Sequence, residues 1–94
     1  MEDPKTITKE HLARYFSITK EALAEAEKAP KNDKEAADLV IDTALRYVSD
    51  AEYHEKRGDR VLAFASLNYA HGWLDAGARL EVFEVHDSRL FQVD

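Results

Sequence analysis

Apolar residues recur every three or four positions in three stretches of the chain, which is the spacing of one face of an α-helix. The first stretch covers about residues 9–28; Thr8 can cap its first turn, and Pro30 prevents its continuation. Its inward positions are Leu12, Tyr15, Phe16, Thr19, Ala22, Leu23 and Ala26. This pattern predicts a first helix with one buried face.

A second helix is predicted at about residues 33–56 and a third at about residues 60–80. Asn32 and Glu35 have the spacing of a capping box at the start of the second helix. Gly58 can end that helix in a left-handed conformation, and Asp59 can cap the next one. The inward positions of the second helix are Ala37, Val40, Ile41, Ala44, Leu45, Val48 and Ala51. So short a connection makes the second and third helices antiparallel, which predicts an all-α, up-down-up three-helix bundle.

The C-terminal tail, residues 81–94, loses the helical spacing but remains apolar at Val82, Phe83, Val85, Leu90, Phe91 and Val93. Exposing so many apolar side chains to water would be unfavourable, so we expect the tail to dock. One interpretation, which we favour, is that the tail folds back over the grooves of its own bundle. The other is that it reaches a second chain.

Composition limits the environment and the partners. The 94 residues fit a single helical domain, residues 1–94, and the absence of cysteine suits a reducing, cytoplasmic setting. No apolar run approaches the length of a membrane span, so we expect no membrane association. A formal net charge of −6 without a basic stripe argues against nucleic acid as a partner, because phosphate binding depends on Lys and Arg.

The third helix has a wider apolar arc than one neighbouring helix requires. Ala63, Leu67, Ala70, Leu74 and Ala78 form its inward face, whereas Leu62, Tyr69, Trp73 and Leu80 lie on another flank. A helix in the crease between two others would show this arc, and so would a helix that faces a second subunit.

Small residues on the outer side of the third helix favour an interface. Gly72 lies in mid-helix, where glycine costs about 1 kcal/mol relative to alanine, and it shares this side with Ala65 and Ala76. Small side chains let another backbone approach closely, and the candidates are the protein's own C-terminal tail and another protomer. We therefore expect a non-enzymatic interaction module that contacts a protein, itself included as a homodimer. Its predicted interface residues are Tyr69, Gly72, Trp73 and Ala76.

A polar edge on the same helix supports an alternative function. Asn68, His71, Asp75 and Arg79 follow steps of three, four and four residues, so they lie along one edge. This alternative is a ligand-binding site for an anion or a nucleotide, or an enzyme-accessory domain. In it, His71 acts as donor or general acid/base, and Arg79 contacts phosphate. We favour the simpler interpretation, in which the edge satisfies polar groups beside the core.

Recognisable catalytic signatures are missing from the sequence, which has no nucleophile elbow, glycine-rich phosphate loop or zinc-protease helix. The pair His71 and Asp75 is too weak a pattern to predict a metal site. We therefore predict no catalytic residue, no cofactor and no bound metal ion, and we lean against an enzyme.

The segment 51–80 contains a distinctive set of motifs: Ala51-Glu52-Tyr53-His54, Gly58-Asp59 and, above all, the run Tyr69-Ala70-His71-Gly72-Trp73-Leu74-Asp75-Ala76-Gly77-Ala78-Arg79. Through these motifs it resembles a small archaeal family known as domain of unknown function 357. The resemblance implies a three-helix fold of the immunoglobulin/albumin-binding-domain-like type and a cytosolic archaeal setting. It implies no established activity, so it assigns no role to the residues of the third helix.

Overall fold

A computed structural model of the chain describes residues 6–92 and contains three helices packed as an up-down-up bundle. The helices are α1 (Lys9–Lys28), α2 (Lys34–Lys56) and α3 (Arg60–Arg79). Their bounds lie within one residue of those predicted, and the all-α, three-helix prediction is confirmed. Within the described range there is no β-strand, and no helix is both long and apolar enough to cross a membrane. Val93 of the predicted tail lies outside the described residues.

Polar side chains cap the first turn of each helix. The Thr8 hydroxyl accepts a hydrogen bond from the main-chain N–H of His11 at 3.0 Å, and the Asp59 carboxylate accepts one from Leu62 at 3.0 Å. The cap of α2 is Asp33, not Asn32 as the capping-box spacing indicated. Asn32 instead contacts the tail, because its side-chain amide donates to the Glu81 carbonyl at 2.8 Å.

Both α2 and α3 end in a left-handed residue that satisfies the last carbonyl groups. Gly58 has a φ of 79°, as its position after α2 predicts, and the following Asp59 N–H donates to the His54 carbonyl. Glu81 takes the corresponding position after α3 with a φ of 58°, which is uncommon for a residue other than glycine. This turn reverses the chain and directs the tail back toward α1 and α2.

The core runs along the inward faces of all three helices. The inward positions predicted for α1 and α3 are buried, except that Tyr15 is half-buried. In α2, however, Leu45 is 50% exposed and does not belong to the core. Because α1 packs more extensively against α3 than against α2, the buried stripe of α2 is narrower than predicted.

The described part of the tail packs on its own bundle. Phe83 pairs with Lys31 in an isolated antiparallel bridge, and the Glu84 N–H donates to the Pro30 carbonyl at 3.0 Å. Phe83, Leu90 and Phe91 are almost fully buried in the same cluster as residues of α1, α2 and α3. The tail therefore covers the end of the bundle nearest the α1–α2 connection.

Candidate functional site

The outer face of α3 is the most distinctive surface of the molecule. Its residues line a shallow, open depression of about 620 Å³ and are Ala65, Asn68, Tyr69, Gly72, Trp73 and Ala76. Residues 61–74 include no Asp, Glu, Lys or Arg, although these four types make up 34% of the chain. A solvated helix face normally carries charged residues. The predicted interface residues Tyr69, Gly72, Trp73 and Ala76 all line this depression, and none of its lining residues is charged.

Two aromatic rings project from this outer face. Tyr69 is 63% exposed and Trp73 is 38% exposed, so both keep apolar surface in contact with solvent. The ring of Tyr69 stacks on that of Tyr47 in α2, with ring centroids 5.2 Å apart and planes 17° apart. This stacking orients an exposed aromatic side chain. Tyr47 is not among the residues predicted from the sequence, although its position beside the buried stripe of α2 was the available signal.

Two glycines of α3 differ in what surrounds them. A methyl group added to Gly77 would lie 2.7 Å from the Phe83 ring and 3.0 Å from Val40, so the close approach of the tail requires a glycine there. A methyl group added to Gly72 would meet nothing within 4 Å among the described residues beyond its own helix. No contact within the described chain therefore explains the glycine at position 72.

On the polar edge, His71 connects α1 to the tail. Its Nε2 atom lies 2.6 Å from the carbonyl oxygen of Leu90, and its Nδ1 atom lies 3.2 Å from the Thr19 hydroxyl. A carbonyl can only accept, so Nε2 carries the hydrogen, and in the neutral ring Nδ1 accepts from Thr19. Both ring nitrogens are therefore engaged within the protein. A buried threonine on the inward stripe of α1 needs such a partner, and this was the signal in the sequence for the contact between Thr19 and His71.

The other predicted members of the polar edge have different surroundings. The Asp75 carboxylate accepts a hydrogen bond from the Gln92 N–H at 3.0 Å, and it lies 3.8 Å from His71, beyond hydrogen-bond distance. Asn68 lines the outer face instead of joining His71. Arg79 is exposed and forms no ion pair with Asp75 or with any other residue in the range 6–92.

A charged cluster closes the turn at residues 87–91 of the tail, next to His71. The Arg89 guanidinium lies 2.8 Å from the Glu21 carboxylate and 3.0 Å from that of Asp87. The hydrogen bond from the Arg89 side chain, followed by the one from its main-chain N–H, lowers the pKa of Asp87. The side-chain hydrogen bond to Asp87, followed by the one to Glu21, raises the pKa of Arg89. This cation is therefore already neutralised by two carboxylates.

The chemistry available at the polar edge is main-chain recognition. His71 and Asp75 hold a carbonyl and an amide two residues apart in the tail. The depression beside them measures about 200 Å³, below the roughly 300–1,000 Å³ of typical small-molecule sites. No group of three or more His, Cys, Asp or Glu side chains in residues 6–92 is arranged to hold a metal ion.

These features define a small helical bundle with an uncharged outer helix face and a tail held by main-chain contacts. A family model described as a protein of unknown function (DUF357) matches residues 14–83. The chain belongs to this family, as the resemblance in the third helix indicated. The match includes the outer face of α3 and ends at Phe83, so it does not include the buried tail residues Leu90 and Phe91. No curated protein and no solved structure matches the chain.

Proposed function

We propose that this protein is a non-enzymatic protein–protein interaction module whose contact surface is the outer face of α3. The observation that carries the proposal is Gly72. An exposed glycine in mid-helix costs about 1 kcal/mol relative to alanine, and no described residue outside α3 approaches it. Close approach of another polypeptide accounts for the glycine, for the missing charges and for the exposed rings of Tyr69 and Trp73.

The alternative proposal, an anion or nucleotide site on the polar edge, has weaker support. His71 and Asp75 already bind the tail main chain, and Arg89 is paired with two carboxylates. Asn68 and Arg79 do not converge on them. A ligand at this edge would first have to displace the end of the tail.

We further propose that the protein acts in the cytoplasm of an archaeon, in keeping with the family resemblance and the absence of cysteine.

Photo-crosslinking in the cells that make the protein tests the interaction. A photoreactive amino acid at Asn68 places the probe in the outer face of α3. The same amino acid at Ser17, which is exposed on α1, is the matched control. We expect a discrete crosslinked species from position 68 and none from position 17. If position 68 gives no specific crosslink in cells, the outer face has no partner and the proposal is wrong.

A further inference from the structure

We infer that the partner of the outer face of α3 is a second copy of this chain, packed α3 against α3 in antiparallel orientation. This inference rests on the proposed function and adds the identity of the partner and the geometry of the contact. Four residues follow one another along the outer face at steps of four, three and four: Ala65, Tyr69, Gly72 and Ala76. That spacing is the seam of two helices packed side by side at a shallow angle.

When two copies of α3 run antiparallel along this face, the large side chain of each copy lies opposite a small residue of the other. A two-fold axis midway between Tyr69 and Gly72 places the large Tyr69 of each copy opposite the Gly72 of the other. The same axis places Ala65 opposite Ala76. The space above Gly72 that no described residue fills thus receives the tyrosine ring that Tyr47 orients. Such reciprocal contact is what a two-fold interface requires.

Parallel packing of the same two faces would be worse on two counts. It would place Tyr69 against Tyr69, leaving small residues opposite small residues on either side. It would also bring each Arg79 next to its copy at the end of the helix, and like charges in contact are unfavourable. Antiparallel packing moves Arg79 opposite the apolar start of the other helix, near Leu62 and Val61.

The charges at the contact and the exposed area of its side chains are also compatible with a second copy as the partner. Two chains of net charge −6 repel each other, but residues 61–74 bring no charged side chain into the contact. The exposed fractions of Tyr69 (63%) and Trp73 (38%) together equal about one whole aromatic side chain, roughly 150–250 Å² per copy. That is about a third of the roughly 600 Å² per partner at the low end for specific interfaces. The exposed parts of Leu62 (47%) and Leu80 (74%) add to this contact. Its area stays at the low end for specific interfaces, so we expect a weak dimer of about micromolar affinity.

Light scattering across a range of micromolar concentrations tests the second copy directly. We expect the average mass to rise toward twice that of one chain, and to rise further when salt screens the repulsion between two acidic copies. Gly72→Leu should weaken dimerisation roughly tenfold or more. Leucine also has a higher helix propensity than glycine, so loss of the dimer would not come from unfolding. Ala24→Leu, on the exposed side of α1, adds similar bulk away from the contact and should leave the dimer unchanged.

Single-cysteine variants test the orientation, and the chain contains no cysteine of its own. In the antiparallel packing, Ala65→Cys and Ala76→Cys should form a disulfide when the two variants are mixed and oxidised. Each variant alone should form little, because a disulfide requires Cα atoms about 4.4–6.8 Å apart. Strong crosslinking of each variant with itself would overturn the antiparallel packing.

The result can also separate this inference from the proposed function. A chain that stays monomeric at every concentration, unaffected by Gly72→Leu, would overturn the second copy. In that case the photo-crosslink from position 68 in cells could still reveal a partner of a different mass. Loss of both the dimer and the cellular crosslink would overturn the two proposals together.

Discussion

At the scale of single residues, Gly72 and Gly77 should respond oppositely to the same substitution. In Gly77→Ala the new methyl group would overlap the buried Phe83 ring, and overpacking costs about 1–3 kcal/mol, more than the roughly 1 kcal/mol gained in helix propensity. Gly72→Ala gains the propensity without a clash. Urea denaturation at concentrations where the chain is monomeric should show a less stable Gly77 variant and a Gly72 variant about 1 kcal/mol more stable.

The comparison contains its own control, because both substitutions add one methyl group to the same helix. Equal stabilisation of both variants would mean that Phe83 moves aside at little cost, and that the tail does not require a glycine at position 77. Destabilisation by Gly72→Ala in the monomer would mean that the fold of the single chain itself requires a glycine at position 72. That second result would remove the observation that carries the proposed function.

At the scale of secondary-structure elements, the turn at residues 87–91 should depend on pH through Asp87. The carboxylate binds the side chain and main chain of Arg89, and these hydrogen bonds lower the pKa of Asp87. A lowered pKa means that the carboxylate stabilises the turn above its unfolded-state pKa of about 3.9. That stabilising contribution is lost as the pH falls from about 4 through the lower pKa that Asp87 has in the folded protein.

Amide NMR signals of Leu90 and Phe91 report this turn, because both N–H groups donate to the Asp87 carbonyl. They should shift on acidification below about pH 4. Asp87→Asn should abolish the Asp87-dependent part of the shift. Asp50→Asn, an exposed change on α2, should leave the titration as it was. An unchanged titration in Asp87→Asn would show that the transition does not come from Asp87 and would overturn the prediction.

The helices could be predicted from the sequence because their signals are local. Thr8, Gly58 and Asp59 act on groups within a few residues, so their roles could be read without the rest of the fold. Asn32 and Leu45 were assigned wrongly because distant segments decide their surroundings: the tail binds Asn32, and the position of α1 leaves Leu45 exposed. The contacts of Tyr47 and Thr19 at the site could not be predicted for the same reason, because these residues approach α3 from other helices.

At the scale of the whole molecule, the tail completes the core of the bundle. Phe91 is 3% exposed and packs edge-on against Phe83, with ring centroids 6.3 Å apart, in a cluster that includes all three helices. A domain of this size has a stability of about 5–14 kcal/mol. Phe-to-Ala changes in a core cost about 3–5 kcal/mol. The single tail residue Phe91 thus accounts for a large part of the free energy of unfolding.

Phe91→Ala should therefore lower the free energy of unfolding by about 3–4 kcal/mol, although the residue lies outside every helix. Leu80→Ala, at a position 74% exposed, should change it by less than about 0.5 kcal/mol in the monomer. Because helices and tail share one buried cluster, urea should unfold them in a single transition, with Trp73 fluorescence and far-UV circular dichroism coinciding. An early, separate release of the tail, or a Phe91→Ala effect as small as that of Leu80→Ala, would show that the three helices are stable without it.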